Sequence, residues 1–258
     1  MWRNIMKKTW KYGILLIGLV LVLALLARTL NPISPDRLID AIKQEDVEEV
    51  RRLLEKGVNP NEPGGITNPF LRILSETSPD RPLSVACETG NLEVVKLLIS
   101  YGATVEYQEG MGWSPLAATL LHYQPDDVEM VKLLLKNGAD ISQRENGWLP
   151  VYRASLMTPK KFDKATATGS VYSTGYDEET AKGITEIVKL LMGDFDINDQ
   201  DENPTTLLMN AALMGNRELV EYLLSIGADP TLIDAHNKTA YDYAVKHGHT
   251  EIAEMLSE

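Results

Sequence analysis

The sequence has one cysteine, Cys87, so no disulfide can form within the chain, and the lone thiol gives no indication of redox compartment. It has four histidines, with no HExxH, paired-cysteine or other dense metal-ligand spacing. It has no phosphate loop, because neither Gly64-Gly65 nor Gly169-Ser170 lies between a buried strand and a helix. No nucleophile, base and orienting acid can be picked out by spacing. These absences argue against catalysis and leave no catalytic residue, metal or cofactor to assign.

Positive charge is also scarce. Asp and Glu number 37 against 25 Lys and Arg, a formal net of −12. Five of the basic residues and none of the acidic ones fall in residues 1–33. The remainder therefore carries 20 basic and 37 acidic side chains, a net of −17. Such a surface repels nucleic acid and anionic lipid head groups and favours a protein partner with a basic face. The same charge also serves plain solubility.

There is one long apolar run, Gly13 to Ala27, preceded by Arg3, Lys7, Lys8 and Lys11 and edged by Trp10 and Tyr12. Positive residues ahead of an apolar run make the layout of an export signal. A small-x-small cleavage site is missing, since Ala24 and Ala27 are three apart and Leu25 would hold the outer position of a cut after Ala27. The expectation is an uncleaved anchor over residues 10–30, about 30 Å of helix, with Arg28 snorkelling. Cleavage near Ala27 is the alternative. Basic residues before the run hold the N-terminus in the cytoplasm and send the rest across. In a bacterium that places residues 34–258 in the periplasm on the inner membrane, and in a eukaryotic cell in a lumen. Asn31-Pro32-Ile33-Ser34-Pro35 reads as a short stiff spacer.

The rest of the chain is built on one stretch, Gly90-Asn91-Leu92-Glu93-Val94-Val95-Lys96-Leu97-Leu98-Ile99-Ser100-Tyr101-Gly102-Ala103. It reads as a short amphipathic helix with Val94, Val95, Leu97, Leu98 and Ile99 on one side, closed by Gly102 as a left-handed C-cap. Alone, such a helix would not be stable in water. Copies begin near Asp46, Asp127, Thr185, Arg217 and Thr250, making about six in all, and a recurrence of this period means a stacked array. Upstream of each later copy sits a second helix signal: Arg81-Pro82-Leu83-Ser84-Val85-Ala86, Ser114-Pro115-Leu116-Ala117-Ala118, Leu149-Pro150-Val151-Tyr152-Arg153-Ala154, Thr206-Leu207-Leu208-Met209-Asn210-Ala211 and Thr239-Ala240-Tyr241-Asp242-Tyr243-Ala244. Proline is tolerated in the first turn of such helices.

The combination resembles the ankyrin repeat, from about Pro35 to Glu258, although no repeat has the full consensus. The resemblance implies an all-α solenoid of about six helix-turn-helix repeats. Residues 1–33 are the anchor and spacer and 34–258 the repeat domain. The repeats fall near 35–61, 81–108, 113–143, 148–198, 203–231 and 237–258. Two intervals between second helices exceed the usual period, placing insertions at 59–80 and 159–180. Leu134 and Leu224 are expected to be buried, and Cys87 to be inert core packing. In the family a tryptophan before the turn packs beside the hairpin, which assigns Trp113 and Trp148, and a histidine at His249 bonds a neighbouring loop. Binding is implied through hairpin tips and the concave first-helix face. The candidate contact residues are Phe70 in the first insertion, Tyr107, Glu109 and Met111 on a hairpin tip, and Tyr172 and Tyr176 in the second insertion. The first insertion also reads as packing over the first repeat, and the second has the composition of a mobile loop.

Bacterial ankyrin proteins include immunity proteins. With the anchor and the acidity, the resemblance implies an inhibitor that neutralises a secreted antibacterial effector in the periplasm. The alternative is a scaffold or assistant for a periplasmic enzyme such as a catalase in peroxide defence. The topology has a direct check. A reporter that works only after export, fused to Glu258, should be active, and a cytosol-only reporter there silent; the opposite pattern removes the anchor.

Overall fold

The computed structural model describes residues 34–64, 80–106, 113–159, 176–200 and 204–257; the segment read as an anchor and most of both insertions lie outside them. The described residues form six successive helix pairs: α1 (Pro35–Lys43) with α2 (Val47–Glu55), α3 (Pro82–Thr89) with α4 (Leu92–Ser100), and α5 (Pro115–Thr119) with α6 (Asp127–Lys136). They continue with α7 (Pro150–Ser155) and α8 (Glu178–Leu191), α9 (Leu207–Met214) and α10 (Arg217–Ser225), and α11 (Ala240–His247) and α12 (Thr250–Leu256). Extended pairing among these residues is limited to isolated bridges.

Local chemistry starts and stops each helix. Proline opens α1, α3, α5 and α7, where its missing N–H goes unused. Asp46, Asn91, Asp177 and Asn216 accept backbone N–H groups as N-caps of second helices, and Thr206 and Thr239 do so for first helices. The turn after α3, α9 and α11 needs a left-handed residue, supplied by Gly90, Gly215 and Gly248 at φ 82°, 71° and 80°. After α1 the same turn is made by Glu45 at φ 56°.

The second helices share a burial register. Val94, Val95 and Leu98 in α4 are sealed from solvent. Met130, Val131 and Leu134 in α6, Ile187 and Val188 in α8, and Leu219, Val220 and Leu223 in α10 are sealed in the same way. Leu134 is thus a core residue, but Leu224 is only half-buried and Leu223 holds the position equivalent to Leu134. Both leucines lie on the wide apolar side of α10, and only the neighbouring pairs decide which one is covered. Ile99 is likewise half-buried. Cys87 is fully buried, and burial pushes its thiol up to about 12, so it stays a neutral core side chain at physiological pH.

Where α1 meets α3, α3 meets α5 and α9 meets α11, first helices pack more tightly on one another than the second helices of the same pairs do; on either side of α7 the order reverses. The small side chains Ala86, Ala211 and Ala244, all fully buried, permit that approach. The stack therefore curves with the first helices on its inner face. Loops are tied across neighbouring pairs by asparagines: Asn61 donates to the Gly102 carbonyl and accepts the Thr104 N–H, and Asn198 accepts the Asp229 N–H. His249 reaches the Leu213 carbonyl of the preceding pair at 3.3 Å.

The fourth pair departs from the others. Its first helix has 6 residues and its second 14. The Tyr123 N–H donates to the Thr158 carbonyl at 2.8 Å and the Tyr176 hydroxyl donates to the Met157 carbonyl, so both flanks of the second insertion are fastened to the stack.

The register predicts unequal costs for similar substitutions. L134A and L223A should each lose about 2–5 kcal/mol of stability in denaturant unfolding. L224A should lose less than about 2 kcal/mol. A larger loss at Leu224 than at Leu223 would refute the register.

Candidate partner-binding face

Two cavities mark the stack between its third and fourth pairs. The first lies at the helix-turn end and has a volume of about 430 Å³. Tyr123, Gln124 and Pro159 line it together with the carboxylates Asp126, Asp177 and Glu179. Asp177 is held below the ordinary carboxylate range by hydrogen bonds from the Thr180 backbone and side chain, so it is charged at neutral pH. This end of the molecule suits a cationic side chain.

The second cavity, about 310 Å³, is on the inner face and is lined by Leu120, Leu121, Trp148, Arg153 and Leu156. It exists because α5 and α7 touch far less than α3 and α5 do. Trp148 is placed by a two-residue hairpin: Glu145 and Trp148 exchange both backbone bonds, at 3.0 and 3.1 Å, across Asn146 and Gly147. Those residues have φ 50° and 83°, the primed turn that Asn-Gly favours. Glu145 accepts the Ser114 N–H at 3.0 Å, joining this hairpin to the start of α5. Ser84 fixes the preceding residue by donating to the Trp113 carbonyl at 2.7 Å. The Arg153 guanidinium then lies 4.3 Å above the Trp113 ring. Burial lowers the Arg153 pKa and Glu145 opposes that, and an arginine so placed remains charged.

The next hairpin, at 234–238, is organised by buried Asp234. Its carboxylate accepts the His236 and Lys238 N–H groups, each at 2.8 Å, and the Tyr243 hydroxyl at 2.6 Å. Burial pushes the Asp234 carboxyl up, and the three hydrogen bonds with the nearby His236 more than offset it, leaving its pKa below 3.8. The same bond pushes the Tyr243 phenol up to about 12.

Of the candidate contact residues, Tyr176 is placed by the structure, half-buried against the core with its hydroxyl on Met157. Phe70, Tyr107, Glu109, Met111 and Tyr172 lie outside the described residues. Trp113 and Trp148 both pack on the core; Trp148 also lines the inner-face cavity, and Trp113 meets it through Arg153. Sequence reasoning passed over Arg153, because its neighbour Trp113 lies forty positions away; it also passed over Asp234, whose partners come from one turn and the helix after it. Among the described residues no group of three or more His, Cys, Asp or Glu could hold a metal ion.

A family model described as "Ankyrin repeats (3 copies)" matches residues 38–145 and 180–258, which is more than half of the sequence. The chain belongs to the ankyrin-repeat family. Such stacks are binding modules that present an extended concave surface. The chain is similar to the ankyrin repeat protein YahD of Escherichia coli (strain K12), 27% identical over 191 residues, covering 67% of this chain and 92% of YahD. It is also 29% identical over 182 residues to the Ankyrin repeat and KH domain-containing protein mask-1 of Caenorhabditis elegans, of whose length it spans 6%. Among solved structures it resembles a chain of the complex of the Bd0816 predatory endopeptidase from Bdellovibrio bacteriovorus with immunity protein Bd3460. The TM-score is 0.59 and the identity 21%, over 85% of this chain and 96% of that one. At that identity the likeness is one of fold.

The Asp234 hairpin yields a pH test. The native state holds the Asp234 proton less tightly than the unfolded chain does. Its contribution is therefore complete above the unfolded value and is lost as pH falls through the lower native one. D234N should cost about 1–3 kcal/mol at pH 7 and flatten the loss of stability below about pH 4. Urea midpoints across pH measure both; an unchanged midpoint at pH 7 would remove the hairpin's role.

Proposed function

We propose that this chain is a membrane-tethered immunity or inhibitor protein whose ankyrin stack binds and neutralises a secreted antibacterial effector on the exported side of the membrane. The observation that carries the reading is the pairing of a strongly acidic repeat domain with a basic-then-apolar N-terminus. A signal of that form supports export, and the bias of four basic residues before Gly13 supports an N-terminus in the cytoplasm. No helix among the described residues is long and apolar enough to cross a membrane. The similarity to a chain from an endopeptidase–immunity protein complex adds a compatible precedent for this stack, covering nearly the whole of that chain.

The binding mode is set by charge. A domain with a net of −17 draws a basic face toward it and raises the association rate, while aromatic side chains taken into the interface, Tyr172 and Tyr176 among them, set the lifetime of the complex. Phe70, Tyr107, Glu109 and Met111 belong to the same proposed contact set. Fold alone does not name the effector.

The test is rescue. Envelope extract passed over the full-length protein should yield a partner, and co-expression should protect cells from that partner when it is directed to the periplasm. Removing residues 1–33 should abolish protection. Protection by the untargeted form, or a captured partner without toxicity, would overturn the immunity role.

A further inference from the structure

The acidic repeat domain draws one cation into its inner face without giving all of it an acceptor. Arg153 projects from α7 into the inner-face cavity completed by Leu120, Leu121, Trp148 and Leu156. Its Nε is sealed from solvent and has no hydrogen-bond acceptor among the described residues. The acid that faces it, Glu145, acts on it through space, and that carboxylate is engaged by the Ser114 amide. Arg81, at the start of α3, shows the ordinary solution: it is buried, and it donates to the Glu106 carbonyl at 2.8 Å and to Thr104 Oγ1 at 3.2 Å. A buried donor without an acceptor is a standing cost to the fold, and a native structure that keeps one does so for a reason.

The Arg153 guanidinium carbon lies 4.3 Å from the centre of the Trp113 ring and at the wall of a cavity, where an entering carboxylate can supply an acceptor that the described residues do not. The rim is apolar, formed by Leu121, Leu156 and the Trp148 ring. We propose that this cavity is a specificity pocket for a carboxylate that the protein partner carries beside an aliphatic side chain. The carboxylate takes the Arg153 fork, and the aliphatic group covers Leu121 and Leu156. The surrounding field of the domain repels anions, so a carboxylate is admitted only where Arg153 compensates it. The pocket thus fixes the register of an otherwise basic partner face. It rests on the chain being a protein-binding module and is independent of the immunity role.

A free C-terminus and an Asp or Glu side chain offer the same chemistry, and the experiment separates them. The full-length protein is titrated with acetyl-Ala-Leu-Leu as the free acid and as the amide, and with acetyl-Leu-Glu-Leu-amide and acetyl-Leu-Gln-Leu-amide. The readout is the indole N–H resonances of Trp113 and Trp148, assigned with W113F and W148F. At least one carboxylate peptide should move both resonances while its neutral counterpart does not, and the one that acts identifies the source. R153Q should weaken that binding about tenfold or more. R153M should abolish it while leaving the denaturation midpoint unchanged or higher, because it removes a poorly satisfied buried charge and keeps the packing on Trp113. Equal binding of the neutral peptides, no movement with any peptide, undiminished binding by R153Q, or a lower midpoint in R153M would each overturn the pocket. Capture of the envelope partner by R153M as well as by the wild type would sink the pocket and leave the binding module standing. Peptide binding without any protein capture would remove the binding module and, with it, the pocket's role in fixing a partner's register.

Discussion

Met130, Val131 and Leu134 in α6 are sealed from solvent, and α6 packs both on α5 of its own pair and on α4 and α8 of the neighbouring pairs. Val94, Val95 and Leu98 one pair earlier and Leu219, Val220 and Leu223 two pairs later are sealed in the same register, on second helices that likewise touch their own pair and its neighbours. Packing between adjacent repeats is therefore the constraint on which the molecule depends. It explains why the polar ties run between neighbours: Asn61 to the loop after α4, Asn198 to the loop after α10, and buried Asn216 to the Ala181 carbonyl of α8. Ion pairs that bridge neighbouring pairs, such as Arg51 with Glu93, are exposed and contribute little by comparison.

A linear array stabilised in this way leaves its inner face uncommitted, and the fourth repeat uses that freedom. A short α7 and a long α8 loosen the junction with α5 and open the cavity around Arg153. The fourth repeat is secured internally and to the fifth instead. Tyr152 donates to the Asp199 carbonyl at 2.6 Å and meets Phe195 edge to face at 5.4 Å, and Asn210 donates to Ser155. The guanidinium is thus held over Trp113 by elements that do not themselves require it. Loss of packing at one repeat junction is tolerated because flanking junctions still hold, which is how a site with a poorly satisfied donor persists in a folded chain.

Much of the stack was legible in the sequence because its signals are local. The apolar period, the N-cap residues before second helices and the glycines after them all act within about one or two helical turns. The family resemblance read from them holds over most of the repeat region. The failures are where distant chain decides. Leu223 and Leu224 are adjacent and chemically identical, and the choice between them is made by repeats four and six. Glu45 takes a left-handed turn that three equivalent positions give to glycine, so the composition alone misses it. Arg153 is an ordinary surface residue in sequence; only stacking brings the Trp113 ring beneath it. Asp234 reads as one more acid until the Tyr243 hydroxyl is seen to close its hairpin.

The central claim is that the inner face between the third and fourth repeats is the surface through which this stack holds its partner. Amide hydrogen exchange of the full-length protein, free and with the captured partner bound, addresses it directly. The account predicts added protection in residues 113–121 and 148–157, with the outer helices α2, α4 and α6 unchanged. Protection confined to those outer helices, with 113–121 and 148–157 exchanging as in the free protein, would contradict it.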